Sequence, residues 1–227
     1  MLFRSPFKTT KRTKTWEKAT LQAIGQEITT RAGISLVWDV EGGDVPIETV
    51  EQTEQNDCEF YTQLCGTYGL CLKLYAQKLV VYDREAYKAK EPAHTIRKED
   101  IQNWNWHTKL EGTYTGGEYT YTDPTTEEEI KATIGGGDRI LKESGKADNA
   151  ADAQRKITAL VNKANHGATT LTVTIQGRPG LVATQCVTVE GMGGAIDGKY
   201  YIDSAASHIG SGYTMELELS KVEGGSL

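Results

Sequence analysis

The clearest periodicity in the chain lies between Leu171 and Val222. Leu171, Val173 and Ile175 alternate with Thr170, Thr172 and Thr174, the period of a strand with one buried face. Gly177-Arg178-Pro179-Gly180 stops that run, because proline cannot donate to a ladder and glycine permits a tight turn. Val187 and Val189 predict a second strand. Asp197-Gly198 reads as a two-residue hairpin turn leading into a third strand over residues 200–202. Beyond Gly210-Ser211-Gly212, Tyr213, Met215, Leu217 and Leu219 alternate with Thr214, Glu216, Glu218 and Ser220. Four strands in about fifty residues imply a barrel or sandwich.

Upstream the period changes to that of helices. Thr15 is placed to cap a helix whose apolar face is Leu21, Ile24 and Ile28 and whose end is Gly33. A strand over Ile34, Leu36 and Trp38 follows, closing at Glu41-Gly42-Gly43-Asp44. Asn56 or Asp57 starts a second helix carrying Phe60, Leu64 and Tyr68 and ended by Gly69. Leu70, Leu72 and Leu74 form a strand, residues 76–78 turn, and residues 79–82 return. The order helix, glycine, strand occurs twice here, too few times for a stacked solenoid, so a small α/β domain is expected over residues 16–90.

Lys88–Pro92 reads as a charged linker, and residues 91–227 as a second domain. Tyrosines and threonines alternate from His107 to Thr122 around Gly116-Gly117, which predicts a strand or hairpin ending at Asp123-Pro124. Residues 127–134 are compatible with a strand despite their charges. Asn149 caps a helix over 149–165 with Ala153, Ile157, Leu160, Val161 and Ala164 on one side. Through Ile157, Leu160 and Val161 that helix is expected to pack across the terminal strands.

Charge alters this picture at one place. The formal net charge of −6 conceals residues 1–18, where Arg4, Lys8, Lys11, Arg12, Lys14 and Lys18 face only Glu17, a net of +5 against −11 elsewhere. No groove-reading motif or stacking array accompanies this basic arm, and an acidic body repels phosphate, so sequence-specific nucleic-acid binding is not expected. No apolar run approaches the roughly 18 residues of a membrane span. Cys58, Cys65, Cys71 and Cys186 show neither CxxC spacing nor a neighbouring histidine, and so read as free thiols rather than metal ligands.

Residues 171–183 (LTVTIQGRPGLVA), 187–202 (VTVEGMGGAIDGKYYI), His208 and 210–222 (GSGYTMELELSKV), preceded by Ala164-Asn165, together resemble the C-terminal part of the phage late control D family. Its members are hub proteins of contractile phage tails and related injection systems. Residues 56–83 resemble the segment that the family places between its two barrels, and residues 4–21 resemble the end of its first barrel. One departure is Thr184-Gln185-Cys186, where the family has a glycine before the strand. The resemblance implies an α+β chain, a small helix-strand domain followed by a mainly antiparallel β-barrel domain carrying one packed helix. Residues 1–15 would then be the remnant of a preceding barrel, most of which is absent, and the isolated chain would be monomeric or weakly trimeric. It also implies a homotrimeric baseplate hub in the virion tail, assembled in the host cytoplasm between tail tube and spike, with no cofactor and no catalysis.

Rival chemistry is thinly represented. Glu216 with Glu218 and Glu127 with Glu128 are paired carboxylates, but acidic residues on the polar face of a strand are ordinarily a solvated surface. Gly135-Gly136-Gly137-Asp138 lacks the lysine of a phosphate loop, and no histidine pairs with a serine or cysteine in a nucleophile motif. Trp104, Trp106, Tyr114, Tyr119 and Tyr121 leave a carbohydrate-binding module as one alternative; a tail-associated cell-wall hydrolase is the other. His208 is expected to satisfy backbone groups near the last hairpin. Period two sends Glu216 and Glu218 to the side opposite Met215, Leu217 and Leu219, and Glu190 is a third candidate for the same surface, which in a ring would line the channel.

Overall fold

The computed structural model describes residues 6–123 and 126–222. The chain divides into two compact units, the first comprising residues up to Asp83 with Glu118–Thr133 and Lys142–Leu160, the second Arg84–Gly117, Ile134–Leu141 and Val161 onward.

The first unit begins with a helical turn α1 (Pro6–Thr9), then β1 (Lys11–Thr20), α2 (Leu21–Ala32), β2 (Ser35–Asp39), β3 (Pro46–Asn56), α3 (Asp57–Thr67), β4 (Leu70–Tyr75) and β5 (Lys78–Asp83). Both helices end as their glycines demand: Gly33 and Gly69 adopt φ of 69° and 75°, a left-handed conformation that costs glycine nothing. β2 runs parallel to β5, which pairs antiparallel with β4. Leu21, Ile24 and Ile28 from α2 meet Phe60, Tyr61 and Leu64 from α3 over this sheet in one buried cluster.

The first helix starts five residues later than the spacing predicts. Thr20, not Thr15, is the cap, its hydroxyl accepting from the Ala23 amide. Residues 11–20 are instead a strand, paired antiparallel with β3, whose sequence carries too many charges to be read as strand. Trp16 anchors the pair by stacking on Phe60, the ring centroids 5.0 Å apart. Two basic residues of this strand are also partnered: Arg12, with Arg31, converges on the buried carboxylate of Asp57, and Lys14 meets Glu27. Two cations of the basic arm are thus paired within this unit.

The remaining elements are α4 (Arg84–Ala89), β6 (His94–Arg97), a 3-10 turn (Lys98–Asp100), β7 (Ile101–Thr108), β8 (Gly116–Thr122), β9 (Glu129–Gly135), β10 (Ile140–Ser144), α5 (Ala150–Asn165), β11 (Thr169–Gln176), β12 (Cys186–Glu190), β13 (Gly198–Ile209) and β14 (Tyr213–Lys221). Strands β10, β8 and β9 form a three-stranded sheet. The terminal strands form a curled half-barrel sheet in the order β6-β12-β13-β14-β11-β7, antiparallel except where β6 meets β12. The class is therefore α+β, mostly antiparallel. Leu171, Val173, Ile175, Val187, Val189, Ile202, Leu217 and Leu219 fill the core beneath this sheet, each 1 % exposed or less.

Two turn readings change. No hairpin joins residues 107–122, because β7 pairs with β11 in one sheet and β8 belongs to another. Asp197-Gly198 is not a two-residue turn either: β12 and β13 are joined through residues 191–197, and the Asp197 carboxylate folds that loop by accepting from the amides of Met192 and Gly193. Within α5, Asn149 accepts from the Asp152 amide as its cap. Ile157 and Val161 are fully buried, whereas Leu160 is only partly so. Within the first unit, the middle of α5 meets the residues just after α3, with Lys156 5.7 Å from the Tyr68 ring and Ala159 against Gly69. Burial and the Asp152 carboxylate raise the Tyr68 phenol above its ordinary pKa.

Candidate functional site

The outer face of the half-barrel sheet is where the polar positions of the terminal strands gather. Directly opposed residues of neighbouring strands share a face, so the observed register builds one row from Ser204, Glu218, Thr172 and Asn105 and the next from Ala206, Glu216, Thr174 and Asn103. Glu216 and Glu218 are exposed. Two carboxylates about 7 Å apart repel by only about 0.6 kcal/mol in water, which an exposed strand tolerates. Ser204 donates to Glu218 at 2.9 Å, and neither carboxylate has an ion pair among the described residues. The surface is hydroxyl, amide and carboxylate, without a lysine or arginine in either row.

The other end of this face is covered. Cys186, Tyr201 and Ser220 are buried there; the Cys186 thiol meets the Tyr87 and Lys88 carbonyls of α4, and burial pushes its pKa up. Glu190 lies on the same side of the pleat but is not brought to the other two, being displaced by roughly 25 Å along the strands at about 3.3 Å per residue. Its partner is Arg97 of the neighbouring β6, at 3.9 Å.

His208 does not do what its position predicts. It is exposed, opposite Thr214, and among the described residues its imidazole has no hydrogen-bond partner. This end of β13 runs past the core, as its neighbour Ile209 at 86 % exposure shows. The tied histidine is His166, just beyond α5, whose Nε2 lies 2.9 Å from Asp203. Asp203 occupies the bulge where β13 slips register against β14, and also accepts from Ser220. Burial opposes its charge, but the bonds from His166 and Ser220 outweigh burial and hold the carboxyl below its usual range. That ionised form contributes stability at neutral pH, which is lost as pH falls through the lowered pKa. The serine is bonded to the aspartate and not to the histidine, so this is a bulge-fixing network and not a nucleophilic triad. A break in the alternation at Asp203 was the one sequence signal for it.

A second polar feature escaped the sequence entirely. In the same unit, a cleft of about 700 Å³ is lined by Lys88, Lys109, Arg139, Lys199 and Lys221 against a single acidic residue, Glu85. One wall is the loop after β7, held by Asn165, whose side chain both accepts from the Tyr114 amide and donates to its carbonyl. The aromatic residues are divided. Tyr119 and Tyr121 are buried and Trp106 packs on the core, which leaves Trp104, at 50 %, as an exposed ring on an edge strand. All four cysteines are free, and among the described residues no cluster of three His, Cys, Asp or Glu is placed to hold a metal and no helix is long and apolar enough to cross a membrane.

No family model and no curated protein matches the sequence. Solved structures do match the fold. The 43 kDa tail protein of prophage MuSo2 from Shewanella oneidensis superposes over 91 % of this chain and 67 % of its own with a TM-score of 0.71 at 15 % identity. The tail protein from Neisseria meningitidis MC58 does so over 93 % and 69 %, with a TM-score of 0.72 at 15 % identity. An Escherichia coli component of the type VI secretion system, itself similar to the T4 tail proteins gp27 and gp5, matches over 96 % and 53 % with a TM-score of 0.61 at 11 % identity. The chain therefore has the fold of phage tail and baseplate-hub-like proteins.

Proposed function

We propose that this chain is a structural hub component of a contractile phage tail or phage-like injection particle, working as a homotrimer between tail tube and spike. The observation that carries the proposal is the extent of the likeness, which runs over 91 % and 93 % of the chain in two tail proteins. The role is geometric, with no cofactor and no catalysis. The half-barrel sheet would contribute to a barrel-lined ring, with the boundary between the small domain and this one near residue 90. Its polar rows would face the channel, where exposed carboxylates without cations repel passing phosphate. A location in the virion tail, after assembly in the host cytoplasm, follows from the same reading.

An epitope-tagged copy in a producing strain tests this. The tag is expected in purified particles, at the baseplate end in electron micrographs, and deletion of the gene is expected to leave tails without a completed baseplate. Particles that assemble normally without the chain overturn the proposal. Release of fragments from purified peptidoglycan would instead favour the hydrolase.

A further inference from the structure

Several cations among the described residues are paired with carboxylates, whereas most of those in the basic cleft of the second unit are not. Arg12 and Arg31 share Asp57, Lys14 has Glu27, Lys156 has Asp152 and Arg178 has Asp100. In the cleft, only Lys88 has a carboxylate, Glu85. Lys199 and Lys221 are fixed by the carbonyls of Ala89 and Ala195 at 3.3 and 2.6 Å, and Arg139 by the Thr113 hydroxyl at 2.7 Å. These acceptors orient the cations without cancelling their charge. Lys109, Arg139, Lys199 and Lys221 thus line one concave surface with no acidic partner among the described residues, on a chain with 31 acidic residues against 25 basic ones. Acid is not scarce, yet among the described residues Glu85 alone brings a carboxylate to this cleft. A rigid cationic concavity in an acidic body selects an anionic guest.

The same chain carries a complementary projection. Between β8 and β9, Asp123 holds the turn residue Thr126 and its neighbour Glu127 by accepting from their amides, through its side chain and its carbonyl respectively. Glu127, Glu128 and Glu129 follow it directly, all exposed and none with an ion pair among the described residues. Glu127 is held at φ 59°, a conformation unfavourable for a residue with a side chain. We infer that the carboxylates of this turn in one copy dock into the basic cleft of a neighbouring copy. Cleft and turn are made of different residues, so a contact between copies is head to tail, which closes into a ring where its rotation permits. The inference rests on the ring-forming role proposed above and names the surfaces that would meet.

The test uses two charge-reversed full-length chains. One carries Lys109→Glu and Arg139→Glu; the other carries Glu127→Lys, Glu128→Lys and Glu129→Lys. Mixtures of light and heavy-nitrogen protein are treated with a zero-length carbodiimide, which joins lysine to carboxylate only in contact, and mass spectrometry separates links within a copy from links between copies. Wild-type protein is expected to give links from Lys109, Lys199 or Lys221 to Glu127–Glu129 that join light to heavy copies. Each variant alone is expected to lose about tenfold or more of that yield, and the two mixed are expected to recover it, since each then meets an opposite charge at both surfaces. If a triple or double substitution unfolds the chain by circular dichroism, Arg139→Gln and Glu128→Gln replace them, with a smaller loss in each, and on mixing only the intact cleft of one with the intact turn of the other is expected to link at the wild-type yield. Links confined to one copy, or no links between these surfaces, overturn the inference. So does calorimetric binding of pyrophosphate in the cleft without copy-to-copy links, which marks it as a site for a free anion. A chain absent from tail particles that still links copy to copy sinks the tail proposal and leaves this contact standing; a chain present in tails without the link does the reverse.

Discussion

The two units handle polar residues in opposite ways. In the first, a charged pair of strands, β1 and β3, is held to the core by a carboxylate of 2 % exposure, Asp57, which receives Arg31 through two bonds of 3.1 Å, Gln52 through another and Arg12 at 3.5 Å. In the second, outside the Asp203 network, the pleat separates core from polar face, and the carboxylates of β14 stay in solvent. One region invests stability in a specific buried ionic junction, whose worth depends on every partner being present. The other relies on apolar area and leaves its polar face free for function.

Substitutions at the two cores probe that contrast first. Leu217 is fully buried in the middle of the sheet, so Leu217→Ala is expected to cost about 4 kcal/mol, from lost transfer energy and the cavity left. Asp57→Ala is expected to cost about 3 kcal/mol, less than the fullest values for a broken buried pair. Its arginine partners are 27 % and 34 % exposed and can partly rehydrate. Denaturant midpoints measured together with Arg31→Ala in a double-mutant cycle check this. A coupling between Asp57 and Arg31 below about 0.5 kcal/mol would remove the ionic junction from the comparison and make both regions conventional apolar cores.

These two regions also differ in how far they could be read in advance. Strands β11 and β14 were legible because solvent lies on one side and core on the other, which writes a period of two into the sequence. The helices α2 and α3 were legible by their apolar faces and by Gly33 and Gly69. β1 and β3 were not, since Lys14, Glu51 and Glu54 stand where a half-buried strand would show alternation, and the pairing is set by tertiary partners such as Trp16 on Phe60. Of the candidate site, Glu216 and Glu218 were placed on a common exposed face by period alone. The basic cleft was not, because Lys109, Arg139, Lys199 and Lys221 are scattered over more than a hundred residues and only the fold gathers them. His208 misled because a histidine near a hairpin carries no mark of whether its strand still covers core.

Helix contact in the first unit gives a smaller effect with a sign that must be decided. Gly25 lies inside α2, where alanine is ordinarily better by about 1 kcal/mol. Here a methyl group would land on the hydroxyl end of Tyr61, a ring of 0 % exposure that donates to the Leu21 carbonyl at 3.0 Å. The ring has nowhere to move, and overpacking of that kind costs about 1–3 kcal/mol. Gly25→Ala is therefore expected to destabilise by about 1 kcal/mol net. A thermal midpoint that rises instead would mean that α2 and α3 separate easily, and that the ionic junction at Asp57 is what holds this unit together.

The smallest stability effect belongs to the polar face, and there the comparison is sharpest. Glu216 and Glu218 are exposed, carry no ion pair among the described residues, and make one side-chain bond, from Ser204 to Glu218. Replacing both by lysine is expected to change the unfolding free energy by no more than about 0.5 kcal/mol, as for exposed positions generally. The pleat keeps their Cβ atoms on the side away from Leu217 and Leu219 whatever the head group. The consequence is expected in function instead. If this face lines the channel, two lysines per copy replace repulsion of phosphate by attraction, and genome delivery slows while particle yield is unchanged. The effect should weaken as ionic strength rises, because exposed charges are screened beyond about 8–10 Å at physiological salt. Delivery kinetics measured by potassium efflux or DNA entry, on particles carrying the double substitution, decide the matter. Unaltered delivery with unaltered assembly would place this face away from the channel, whereas failure to assemble would put it against another tail protein.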